Sequence, residues 1–145
     1  MIRDGKIDGD IVLRNVSFKY ESRSINLFEN LNLTIPYGKK IGFVGVSGCG
    51  KSTILSFLLR FYIPQSGEIF LNNINIKDYD IHYLRSQFGV VGQEPVVFDT
   101  SFKENITYNM KDVSEKDIIN VAKKANALSF IVDPLRMKAP LQEQY

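Results

Sequence analysis

The sequence predicts an α/β fold, a parallel sheet flanked by helices, joined to a smaller antiparallel β subdomain on its N-terminal side. Three observations predict it. Two segments before residue 36 alternate apolar and polar residues, as half-buried strands do. A glycine-rich run, Gly45 to Ser52, lies between the apolar Ile41-Gly42-Phe43-Val44 and the helical-looking Thr53 to Leu59, which is a strand, loop and helix in that order. Phe88-Gly89-Val90-Val91-Gly92 is a short apolar run bounded by turn formers, as a strand covered on both faces is.

Taken in order, Ile11 to Tyr20 and Leu31 to Ile35 read as the two half-buried strands. Pro36-Tyr37-Gly38 turns the chain toward a strand at Lys40 to Val44. Ser52 to Tyr62 reads as a helix, closed by Pro64 and Gly67. Glu68 to Leu71 and Ile74 to Ile76 flank Asn72-Asn73, the turn chemistry of a hairpin. Ile81 to Ser86 is a short helix, and Phe88 to Gly92 a buried parallel strand. Ser114-Glu115-Lys116-Asp117 has capping-box spacing with Asp in the third helical position. Ile118, Val121, Ala122, Ala125 and Leu128 follow it at helical spacing. There is no internal repeat and no low-complexity segment.

The run Gly45-Val46-Ser47-Gly48-Cys49-Gly50-Lys51-Ser52 is a complete Gly-x-x-x-x-Gly-Lys-Ser phosphate loop, which makes the predicted core that of a P-loop NTPase. Glycines 45, 48 and 50 permit a tight turn whose N–H groups, with those of Ser47 and Cys49, replace phosphate hydration. The following helix adds its positive end. Lys51 is placed for the β and γ phosphates, Ser52 for the Mg²⁺ that bridges them, and Thr53 for the neighbourhood of the α phosphate. Cys49 beside Lys51 at a helix start has a setting that favours a reactive thiol, although a small residue that fits is the plainer reading.

Composition sets the bounds. The 145 residues are 44% hydrophobic and 23% charged, enough apolar content for a globular domain with a real core. Eighteen basic and sixteen acidic side chains are dispersed, so the net charge of +2 forms no nucleic-acid surface. One cysteine excludes an internal disulfide and fits a reducing compartment. No apolar stretch is long enough to span a membrane, and the start Met1-Ile2-Arg3-Asp4-Gly5-Lys6 lacks a signal core. Asn75-Ile76-Lys77-Asp78 has the wrong order for a guanine-reading motif, so adenine is the expected base.

Three segments in fixed order make the chain resemble the nucleotide-binding domain of an ATP-binding cassette (ABC) transporter, of the multidrug-exporter type. Val16 to Arg23 is similar to the family's aromatic loop, with Tyr20 at the adenine-stacking position. Gly45 to Ser52 is the phosphate loop. Leu84 to Phe98 resembles the Q-loop segment, with Gln93 at its key position, and Thr100 to Ile106 resembles its continuation. The physical roles are consistent with these residue types. A Tyr ring offers adenine a stacking surface worth about 1 kcal/mol beyond buried area. Gln93 offers Mg²⁺ a neutral oxygen and a side chain able to report on the γ phosphate. Without the resemblance, Tyr20 reads as core filler at a strand end and Gln93 as a solvated turn residue.

The resemblance implies ATP and Mg²⁺ as ligands, transmembrane domains and a second nucleotide-binding domain in a head-to-tail pair as partners, and a place at the cytosolic face of a membrane. The match runs from about Gly9 to about Ile131; residues 1–131 read as the N-terminal part of such a domain and residues 132–145 as a divergent tail. After Ile131 the family continues to Leu-Ser-Gly-Gly-Gln, an Asp-Glu strand end and a switch His, none of which this sequence contains. Phe130-Ile131-Val132-Asp133 imitates an apolar strand ending in Asp, but it extends a helical stripe and Pro134 stands where a catalytic Glu belongs. His82, the only histidine, precedes the Q-loop and reads as a surface residue. The expectation is a cassette fold incomplete at the C-terminus that binds Mg-ATP, has no catalytic residue of its own and does not hydrolyse alone. The alternative is a non-catalytic regulatory module that pairs with a complete cassette. A small-molecule kinase would need an acceptor site and lid arginines that the sequence does not show.

Overall fold

The computed structural model describes residues 2–5, 7–94 and 96–131, without the Phe130 side chain. Expectations placed on Pro95 and on residues 132–145, including Val132-Asp133 and Pro134, lie outside them. The chain divides into two compact units, residues 1–90 and 91–145.

In the first unit, strands β1 (Ile11–Phe18), β2 (Phe28–Ile35), β3 (Ser66–Leu71) and β4 (Ile74–Asn75) form one antiparallel sheet in the order β2-β1-β3-β4. The alternation in β1 is broken: Leu13, Val16 and Phe18 are its buried residues. The cause is a bulge at Asn15, whose φ is +49° and which shifts the register between Leu13 and Val16. Asn32 secures it, accepting from the Asn15 N–H at 3.0 Å and donating to Asn15 Oδ1 at 3.1 Å. The β3–β4 hairpin turns through Asn72 and Asn73, both left-handed, as an Asn pair in a two-residue hairpin turn requires.

Helix α1 (Lys51–Leu58) stops earlier than its apolar pattern suggested. Arg60 takes φ +52°, and the bonds Arg60 N–H to Phe57 C=O and Phe61 N–H to Ser56 C=O close a Schellman cap. A 3₁₀ turn (Ile76–Asp78) leads to helix α2 (Ile81–Ser86), N-capped by Asp80. Residues Leu13, Val16 and Phe18 of β1, Phe57 and Leu58 of α1, Ile69 and Leu71 of β3, with Ile76, Tyr79 and Leu84, make the core. The Tyr79 hydroxyl, buried there, donates to the Leu71 carbonyl at 2.9 Å.

The segments 40–44 and 88–92 form no strand. Val44 is 99% exposed and Val91 96%. Inner-strand character depends on neighbours that take up N–H and C=O groups on both sides and cover both faces. Among the described residues the four strands pair only with one another, so apolar composition alone does not order these two segments. The α/β class stands, with the antiparallel subdomain as its formed sheet.

The second unit contains helices α3 (Phe102–Ile106), α4 (Glu115–Lys124) and α5 (Leu128–Ile131). Ser101 and Glu104 form a capping box at α3, and Ser114 and Asp117 form the expected one at α4, Ser114 Oγ lying 2.6 Å from Asp117 Oδ2. Asn105 ties α3 to the loop before it, donating to the carbonyls of Phe98 and Ser101 and accepting from the Phe98 N–H. On α4 the buried positions are Ile118 and Ala122, while Val121, expected in the same stripe, is exposed. Ile131 is helical, in keeping with the reading of Phe130-Ile131 as helix rather than strand end. Among the described residues no helix is long and apolar enough to cross a membrane.

Candidate nucleotide-binding site

Gly50 is the N-cap of α1 in the left-handed region, with φ +104° and no side-chain cap. Helix starts leave their first N–H groups without intrahelical acceptors, so an uncapped first turn presents donors and a positive dipole end. Gly48, at φ +80°, turns the loop one step earlier. A Cβ on Gly50 would collide with the Phe28 ring of β2, so the loop's last glycine is packed directly against the sheet. Gly45, Ser47, Gly48 and Cys49 are exposed, and so is Ser52 at the second position of α1.

Lys51 folds back over the loop. Its Nζ donates to the carbonyls of Gly45 at 2.8 Å and Val46 at 2.9 Å, with Cys49 Sγ at 3.7 Å. Two of the loop's carbonyls thus face one cation, and the Cys49 N–H also turns to the Val46 carbonyl, at 3.3 Å. Among the described residues no three His, Cys, Asp or Glu side chains cluster in a way that could hold a metal ion. Any ion here would depend on neutral oxygens and on ligand oxygens.

Tyr20, two residues past β1, joins this site. Its hydroxyl lies 2.7 Å from Thr53 Oγ1 on the first turn of α1, and its ring meets Phe18 and Tyr62 edge-on at 4.9 and 5.1 Å. Sequence reasoning offered two uses for Tyr20, base stacking or core filling. The structure shows a half-buried ring packed against the core and lining a cavity of about 380 Å³ with Tyr62, Ile63 and Gln65. A second cavity, of about 520 Å³, is lined by residues 22–27 and Gly48. Arg23, Asn26 and Tyr62 line these spaces without having been singled out in the sequence, since nothing local marks them. Gln93 lies exposed on a loop of the second unit. His82 is exposed on α2, as expected of a surface residue.

A family profile described as ABC transporter matches residues 28–142. The chain is 44% identical over 127 residues to ABC transporter B family member 15 of Arabidopsis thaliana, covering 87% of this chain and 10% of that protein. It is 44% identical over 124 residues to ABC transporter B family member 2 of Dictyostelium discoideum, covering 85% of this chain and 9% of that one. Among solved structures it matches one described as a bacterial Atm1-family ABC exporter with ATP bound, with TM-score 0.84, 29% identity, and 97% of this chain against 24% of that one. The chain therefore spans about a tenth of the length of these two curated relatives.

Proposed function

Since the chain belongs to the ABC transporter family and carries part of an exporter-type nucleotide-binding domain, we propose that residues 1–131 bind Mg-ATP through Gly45 to Thr53, with Tyr20 as the adenine platform. The observation that supports this most is the meeting of Tyr20 with the first turn of α1: two motifs 33 residues apart in sequence share one hydroxyl contact. Two aromatic contacts hold the Tyr20 ring, and about 1 kcal/mol of stacking per aromatic pair is the order of gain available to a purine there.

Lys51 would exchange its two loop carbonyls for the β and γ phosphates, a charge-for-charge gain over two neutral acceptors. Ser52, exposed and with no side-chain partner among the described residues, is the oxygen donor proposed for Mg²⁺ on the loop, a neutral oxygen that suits a hard ion. Gln93, in the second unit, is proposed as a Mg²⁺ donor on the resemblance of its segment alone. The ion would neutralise charge between the β and γ phosphates. Hydrolysis by this chain alone is not proposed, because residues 1–145 contain no Leu-Ser-Gly-Gly-Gln, no apolar run ending in Asp-Glu and no histidine after Gln93. Transmembrane domains, a second nucleotide-binding domain paired head to tail, and a place at the cytosolic face of a membrane are the partners and location this reading implies.

Calorimetric titration of the chain with Mg-ATP tests it. Lys51→Ala is expected to weaken binding about ten- to a hundredfold, the loss of a charge-assisted contact. Unchanged affinity in that variant would remove the phosphate loop from the reading. Steady phosphate release by the wild type, lost in Lys51→Ala, would overturn the non-hydrolytic half.

A further inference from the structure

Thr53 is 4% exposed and is the one buried polar residue among those described. A threonine within a helix can return its hydroxyl proton to a carbonyl three or four residues back. Thr53 makes no such bond; its hydroxyl has Tyr20 as its partner, at 2.7 Å. Of the two groups the phenol is the stronger acid and the better donor. With Tyr20 donating to Thr53 Oγ1, the Thr53 proton is left to point elsewhere, and a donor that is itself accepting is polarised into a stronger one.

The arrangement around Tyr20 is held from several sides. Gln65 clamps the backbone before it, accepting from the Lys19 N–H at 2.8 Å and donating to the Lys19 carbonyl at 2.8 Å. The Gln65 N–H reaches the Ser17 carbonyl at 3.0 Å. Phe18 stands edge-on to Phe57 at 5.0 Å, and Phe57 lies one helical turn after Thr53 on the same face of α1. The end of β1 therefore grips α1 at two successive turns, by a ring at Phe57 and by a hydroxyl at Thr53.

We infer that Tyr20 is a positioning residue for Thr53: its phenol fixes the Thr53 hydroxyl so that the Thr53 proton is presented to a phosphate oxygen of the bound nucleotide. Tyr20 then serves the nucleotide twice, by its ring toward the base and by its hydroxyl, through Thr53, toward the phosphate chain. This rests on the reading of Gly45 to Ser52 as the nucleotide loop.

The test is competition titration of the full chain with Mg-ATP and with adenosine, which has no phosphate. Tyr20→Phe keeps the ring and removes the hydroxyl. It is expected to weaken ATP about two- to tenfold, the worth of one neutral hydrogen bond, and to leave adenosine unchanged. Thr53→Val should weaken ATP alike, Thr53→Ser should restore it, and the double variant Tyr20→Phe with Thr53→Val should be no weaker than Thr53→Val alone. Equal losses for ATP and adenosine, an unchanged ATP affinity, or additive losses in the double variant would each overturn the inference. Should Tyr20→Phe not fold, equal ATP affinities of Thr53→Val and Thr53→Ser would overturn it. The two readings fail differently: a wild type that binds no ATP sinks both, whereas ATP binding that depends on Lys51 but ignores the Tyr20 hydroxyl sinks only this one.

Discussion

Gly50 meets two constraints at once, a left-handed φ of +104° and the Phe28 ring where a side chain would begin. The first is written in the motif; the second is not, because Phe28 lies on β2. Asp80 is a residue whose chemistry predicts a pH effect. Its carboxylate accepts from the Tyr83 N–H at 3.1 Å and the His82 N–H at 3.0 Å and faces Arg3 at 3.6 Å. The Tyr83 N–H is the largest influence, burial opposes it, and the His82 N–H with the Arg3 and His82 charges add to it, so the pKa falls below the ordinary value. A carboxyl whose pKa is lowered by folding contributes stability above its unfolded value, near pH 4, and loses that contribution as pH drops through the folded value. Asp80→Asn keeps an N-cap and removes the titration. Its thermal midpoint should therefore fall less steeply than the wild type's below about pH 4. Glu104, lowered chiefly by the Ser101 N–H, supplies a slope of the same sign that persists in both proteins. Identical acid limbs for the two would show that the cap carries no pH-dependent stability.

Local elements were legible where their signals are local. The Asn-Asn hairpin, the Ser114 capping box and the helix at Ile81–Ser86 formed as expected, since each is decided within a few residues by φ preference or a side chain reaching its own backbone. Helix α3 was missed although Ser101-Phe102-Lys103-Glu104 carries the same box spacing. The end of α1 was placed too late because Arg60 is not a residue type that announces a left-handed cap. Its reason is tertiary. The Arg60 guanidinium donates to the carbonyls of Ile76 at 3.2 Å and Tyr79 at 2.8 Å, while Arg85 Nε donates to the Leu59 carbonyl at 3.0 Å. Arg60→Gly would relieve about 1 kcal/mol of left-handed strain. It would also remove two charge-assisted bonds worth about 1.5–3 kcal/mol each. A net loss of about 2–5 kcal/mol is expected in denaturant unfolding; a stabilised glycine variant would mean that these bonds contribute nothing.

Across the whole molecule the predicted inner strands are where pattern and structure part. Ile41, Val44 and Val90 in the first unit, and Val91 in the second, are exposed. Hydrophobic runs of this kind report what a segment can pack against, and packing needs a neighbour that the segment does not encode. Val44→Lys tests this directly. At 99% exposure the substitution should change the unfolding free energy of the 145-residue chain by no more than about 0.5 kcal/mol. A loss of several kcal/mol would mean that residues 40–44 are packed after all.

By itself the sequence determined the Gly45 to Ser52 loop, the start of the helix after it, the Asn-Asn hairpin and the Ser114 cap, because glycine and asparagine torsions and short side chains on their own backbone act over a few residues. The family too was readable, through three motifs in order. Only the tertiary structure decided that the Tyr20 hydroxyl meets Thr53, that Phe28 closes over Gly50, that Arg60 ends α1 and that two apolar segments stay unpaired. Each of these depends on which distant backbone arrives alongside, and that is settled by the packing of β1 and β2 against α1 rather than by any local preference.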